Sequence, residues 1–171
     1  DAAKRLGVST KSASRCFDEL EYLNIDVLGM KGKSRVINIP NDRKQVWQQI
    51  ENVLRNPVIR RFVLREDMKI EKKAGISALC EYSLLSDNVY PTYAVTKKEL
   101  KDSAVKVEKQ VSELEEIGCV VLELGYFIDF LGKGFQDPLS VVLSLTGEEQ
   151  EEERVDISIN EMLEEYVWSK D

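Results

Sequence analysis

Histidine is missing from the whole 171-residue chain. Its absence removes Ser-His-Asp and Cys-His nucleophilic catalysis, and every metal site built on imidazole. Cysteine is scarce: Cys16, Cys80 and Cys119 are odd in number, widely spaced and form no CxxC. That argues against a disulfide framework or a zinc site and fits a reducing cytoplasm. Apolar runs are short, none approaching the roughly 18–20 residues that span a bilayer, so no membrane partner is expected. The chain opens on a charged amphipathic helix, and no signal peptide is expected. There are no repeats and no low-complexity linkers.

What is present is a globular share of apolar residues, 43%, enough for one sizeable core or two small ones. The net charge of −7 is unevenly spread. Residues 1–65 hold 13 Lys and Arg against 7 Asp and Glu, a surplus of +6. Residues 66–171 hold 11 against 24, a surplus of −13. One end of such a chain can approach phosphate while the other is repelled by it.

The first 39 residues carry the strongest pattern. A short helix closes at Gly7, and Ala3, four residues earlier, is small enough for two helices to cross closely. Ser9 or Thr10 can cap a second helix over 11–23. In it Ala13, Cys16, Phe17, Leu20 and Leu23 recur at helical spacing as a buried stripe. Residues 25–39 read as two short strands around Met30-Lys31-Gly32-Lys33, a hairpin with cations at its tip. A helix over 43–54, capped by the Asn41-Asp42 region, is expected to bury Val46, Trp47, Ile50, Val53 and Leu54 before Asn56-Pro57 stops it.

Beyond 57 the pattern changes. Residues 61–65 alternate as a strand, and 72–85 read as a helix around Ile76, Leu79, Cys80 and Leu84. A short strand follows over 89–95 with Pro91 at its edge or start. Residues 97–116 are charged and match no single element. The strongest strand signal is 118–131, bent at Gly125. Residues 137–145 read as a strand or as a helix opened by proline, the Asp137 cap with Pro138 in the first turn favouring helix, and 155–168 closes the chain with Ile159, Met162, Leu163 and Tyr166 on one face.

Candidate sites follow from charge and helix geometry. Ser9, Thr10, Lys11 and Ser12 stand at a helix N-terminus, where free amides and the dipole favour phosphate. Arg15, one turn on and flanked by Ser14, is long enough to reach a base edge. Lys31, Lys33 and Arg35 on the hairpin would meet phosphate or the minor groove, adding affinity more than sequence choice. The competing reading of both sets is ordinary solvated charge. The acidic run at 148–153 reads first as a solvated loop or helix start. It has no EF-hand spacing or paired-carboxylate motif, and Gly132-Lys133-Gly134 lacks the flanks of a phosphate loop. No catalytic constellation, metal site or cofactor site emerges, so no enzyme activity and no cofactor are expected.

Residues 1–55 resemble the winged helix-turn-helix transcription regulators of the multiple-antibiotic-resistance-repressor (MarR-like) type. The likeness is carried by Ala3, Gly7, Ser9, Ser14, Arg15, Leu20-Glu21, Leu23 and the wing from Gly29 to Arg35. A winged helix has a further helix before this point, so one is expected ahead of Asp1. The segments Gly75-Ile-Ser-Ala-Leu79, Tyr90-Pro-Thr-Tyr-Ala-Val95 and Asp137-Pro-Leu-Ser140, with Glu153-Arg-Val155 and Trp168, resemble the regulators found beside nucleotidyltransferase toxins, the antitoxins of the abortive-infection E class. That likeness implies a chain that represses its own operon and counteracts a nucleotidyltransferase toxin.

The expected fold is therefore α+β: a winged helix-turn-helix over 1–56, then an acidic α+β domain over 57–171 with a mixed or antiparallel sheet and a regulatory, dimerisation or antitoxin role. The expected function is sequence-specific binding of double-stranded DNA and repression, by homodimers or at tandem sites. The alternative is a protein-interaction module whose winged helix does not read DNA and whose acidic domain binds a basic partner.

Overall fold

The computed structural model describes residues 3–4, 8–102, 116–129 and 131–169. The chain divides into two compact units, Asp1–Leu54 and Arg55–Asp171, two residues ahead of the division expected at 56/57. Helices and sheets occur in both, and the fold is α+β.

In the first unit, helix α1 (Thr10–Tyr22) starts where the Ser12 amide donates to Ser9 Oγ at 3.0 Å, which makes Ser9 the cap. Asn24 ends it. With φ of 54°, Asn24 lies in the left-handed region that closes many helices. The Asn24 and Ile25 amides bond back to the Glu21 and Leu20 carbonyls at 3.0 and 3.1 Å, and Ile25 is buried. Strands β1 (Leu28–Lys31) and β2 (Ser34–Ile37) pair antiparallel, Leu28 opposite Ile37 and Lys31 opposite Ser34. Gly32, first of the two loop residues, has φ of 63°, as a type II′ hairpin turn requires. Helix α2 (Arg43–Ile50) is capped by Asp42, whose carboxylate accepts from the Gln45 amide at 2.9 Å. Among the described residues of this unit, Ala3, Ile25, Val27 and Trp47 are the buried apolar ones.

Three sequence expectations for this unit need correction. Cys16 and Leu23 are exposed, so the stripe on α1 narrows to the half-buried Ala13, Phe17 and Leu20. Helix α2 stops at Ile50, where the Val53 amide turns to the Ile50 carbonyl, three residues back. Val53 and Leu54 are consequently exposed at the end of the unit. Gly7 lies outside the described residues.

In the second unit a sheet is built around one central strand. The central strand β5 (Cys119–Leu124) is buried along its whole length, which explains why it reads as an unbroken apolar run. Strand β3 (Val58–Leu64) lies antiparallel to it and β4 (Thr92–Thr96) parallel, so the sheet is mixed. Alternate residues face opposite ways. Cys119 and Val121 pack with Leu64, Tyr93 and Val95 on one side, while Val120, Leu122 and Leu124 pack with Ala74 and Ala94 on the other. The one charged residue of β5, Glu123, is 1% exposed and accepts from Arg60 Nε at 2.5 Å. The Arg60 guanidinium also lies 5.3 Å from the centre of the Phe62 ring.

Helices α3 (Gly75–Tyr82), α5 (Pro138–Ser144) and α7 (Glu153–Leu163) share a third core around Leu79, Val141, Val155 and Met162. Asp137 caps α5 with Pro138 in its first turn, as expected from sequence. Buried Gln136 ties α3 to α5. Its side chain accepts from the Gly75 amide and donates to Ser144 Oγ at 2.8 Å, and its carbonyl accepts from the Tyr82 hydroxyl at 2.9 Å. Leu84, expected on the buried face of α3, is 98% exposed, because the helix ends at Tyr82 and Ser83 is already extended. The strand expected over 118–131 stops at Leu124. The Gly125 amide makes the last rung, to the Pro57 carbonyl at 2.9 Å.

Helix α4 (Lys97–Asp102) accounts for the start of the unassigned charged stretch; residues 103–115 lie outside those described. Glu99 and Thr96 exchange capping bonds, and Lys72 donates to the same carboxylate. The Lys72 bond, with help from Thr96 and against some desolvation, holds the Glu99 carboxyl at about 2. A carboxyl depressed in the folded state stabilises fully above its ordinary value near 4.5 and loses that contribution as pH falls toward 2. Melting temperatures recorded from pH 6 to pH 2.5 are expected to fall less steeply in Glu99→Gln than in wild type. Parallel curves would remove Glu99 from the acid response.

Candidate nucleic-acid interface

Helix α1 and the β1–β2 hairpin hold the residues singled out in the sequence. Lys11 and Arg15 are four apart and so share one face of α1, and both are exposed. Tyr22, seven residues after Arg15, continues that face and is 89% exposed. Thr10 and Ser12 are exposed in the first turn, and Ser12 Oγ lies 2.9 Å from the capping Ser9 Oγ. Lys31 and Lys33 flank the tip glycine of the hairpin, exposed. Among the described residues no ion pair engages Lys11, Arg15, Lys31 or Lys33.

Arg35 is placed differently. Its Nη1 donates to Asp18 at 2.5 Å and its Nη2 to Ser14 Oγ at 2.9 Å, while the guanidinium lies 5.2 Å from the Phe17 ring centre. Glu21 stands 3.9 Å away. Arg35 and Ser14, both expected to face a duplex, therefore face each other and join β2 to α1. Asp18 and Phe17 were not among the expected site residues. The available hint was their spacing, since Ser14, Phe17, Asp18 and Glu21 fall on one flank of a helix.

The division at 54/55 redistributes charge. Arg55, Arg60, Arg61 and Arg65 belong to the second unit, so the first holds 9 cations against 7 anions, a surplus of +2 rather than the +6 counted over 1–65. The second unit holds 15 against 24, a surplus of −9. The net positive charge of the first unit is therefore small.

The acidic run opens helix α6 (Gly147–Glu151), where Thr146 and Glu149 form a capping box. Burial alone would raise the Glu149 carboxyl. The Arg61 guanidinium at 2.9 Å and the Thr146 bonds outweigh it and hold the group below its ordinary value. Cys80 is pushed up to about 11 by burial and by Asp87 and Glu81, and burial also raises Cys119. Thiols held protonated are poor nucleophiles. Among the described residues no group of His, Cys, Asp and Glu could hold a metal ion, and no helix is long and apolar enough to cross a membrane. Comparison with family models, curated proteins and solved structures returns no match for this chain.

Proposed function

We propose that the first unit is a winged helix that binds double-stranded DNA, with α1 in the major groove and the hairpin as its wing. The observation that carries this is the set of exposed cations on α1 and on the hairpin tip, Lys11 and Arg15 with Lys31 and Lys33, which have no ion pair among the described residues. In this reading Arg15 reaches a base edge, and Lys11 and the first-turn Ser12 meet phosphate. Lys31 and Lys33 neutralise the backbone alongside. Repression follows by occlusion of a promoter, and the sequence likeness extends the proposal to autoregulation beside a nucleotidyltransferase toxin. One recognition helix reads few base pairs, so a homodimer or tandem sites complete the operator.

The acidic balance of the second unit favours a second reading. Glu148, Glu151, Glu153, Asp156, Glu161 and Glu164 are all exposed on the closing helices, a surface suited to a basic protein partner. Fluorescence anisotropy with the chain's own upstream duplex and a scrambled one, at two salt concentrations, separates the two. Three cationic phosphate contacts per protomer, from Lys11, Lys31 and Lys33, predict a log–log salt slope of roughly −3. Preference for the upstream duplex with such a slope supports the repressor. Absence of binding to either duplex moves the function to the acidic face.

A further inference from the structure

A wing works only if it meets the same duplex as the recognition helix, and a two-stranded hairpin has little rigidity of its own. In the first unit the register places Arg35 directly opposite Met30, one pair in from the tip pair Lys31–Ser34. From there its guanidinium reaches α1 and closes on Ser14 and Asp18, 21 and 17 residues away in sequence, over the Phe17 ring. The two ends of this bridge sit next to the cations of interest. Ser14 adjoins Arg15 in the chain, and Arg35 is two residues from Lys33. Asp18 is also the first carboxylate along α1 after Lys11 and Arg15, and its side chain is 63% exposed. Unpaired, it would repel the phosphates that those residues attract.

We propose that Arg35 is a positioning residue for DNA binding: it locks the hairpin to α1 through Asp18 and Ser14 and cancels the Asp18 charge, without itself touching the duplex. The proposal rests on the DNA-binding reading above. It departs from the sequence expectation, which counted Arg35 among the direct contacts.

Charge exchange separates a clamp from a contact. The full chain is compared as wild type, as Arg35→Asp and as the double variant Asp18→Arg with Arg35→Asp, by duplex anisotropy and by thermal unfolding. Arg35→Asp is expected to weaken binding about tenfold or more and to lower the melting temperature. The exchanged pair restores the attraction with opposite polarity, so affinity is expected to return to within about threefold of wild type, with recovery of the melting temperature. If Arg35 touches phosphate directly, the exchanged variant binds as weakly as Arg35→Asp, and the proposal is overturned. Unchanged melting across the three proteins would also overturn it, because the tie would then be absent in solution. A wild-type chain that binds no duplex overturns the DNA reading itself, a result distinct from wild-type binding without recovery in the exchange.

Discussion

Lys11→Glu combined with Arg15→Glu is expected to weaken upstream-duplex binding roughly a hundredfold or more at moderate salt, since each lost contact is worth about 1–3 kcal/mol and each new carboxylate repels phosphate. The salt slope should shrink by about one, for the phosphate contact that Lys11 makes. Folding is expected to persist. Both side chains are exposed with no ion pair among the described residues, and a carboxylate in the first turn of α1 suits the helix dipole. Circular dichroism and melting temperature are the controls. Unchanged affinity in a folded double variant would remove these two residues from the interface. Loss of affinity with the wild-type slope retained would mean that they act through the fold and not through phosphate.

Gly118→Ala is expected to damage the second unit far more than its single added methyl suggests. Gly118 precedes β5, and its amide donates to the Leu64 carbonyl at 2.8 Å, the rung that closes β3 against β5. A Cβ there would meet the Arg65 carbonyl oxygen and lie 2.6 Å from the Glu66 carbonyl carbon. These are backbone atoms and cannot rotate aside. The Glu66 carbonyl is also held from the other direction, accepting from Cys119 Sγ at 3.2 Å. The expected cost is about 3 kcal/mol, a fall of roughly 10 °C in melting temperature. Gly147→Ala is the matched control. A Cβ at Gly147, the first residue of α6, meets nothing within 4 Å, so that variant should melt within about 2 °C of wild type. Equal behaviour of the two glycine variants would contradict the close approach at Gly118.

Features decided within a few residues were legible from the chain. Ser9, Asp42 and Asp137 cap their helices because a short oxygen-bearing side chain reaches an amide three positions on, whatever the rest of the molecule does. Gly32 sits where a two-residue hairpin loop needs a positive φ. The α1 end was nearly as local, although Asn24 rather than an apolar residue closes it. Burial was less legible, because helical spacing shows that a stripe exists and not how much of it is covered. Cys16 and Leu84 have the right spacing, yet both are exposed, Cys16 at the flank of a narrow contact and Leu84 just past the helix end at Tyr82.

The candidate interface divides along the same line. Lys11, Arg15, Lys31 and Lys33 could be named from a helix face and a hairpin tip. The engagement of Arg35 with Asp18 could not, nor that of Arg60 with Glu123, 63 residues apart, or of Arg61 with Glu149, 88 apart. Charge counted along the chain credited the arginines of β3 to the basic front, whereas two of them answer carboxylates in the second unit.

By itself the sequence determined the absence of imidazole chemistry, the α+β class, the helix starts, the hairpin and the order of most elements. These follow from composition and from bonds spanning a few residues. Only the tertiary structure decided which cations engage carboxylates, where the two units divide and which carboxylates are neutralised. An ion pair depends on distances between segments far apart in the chain, and no local pattern encodes such a distance.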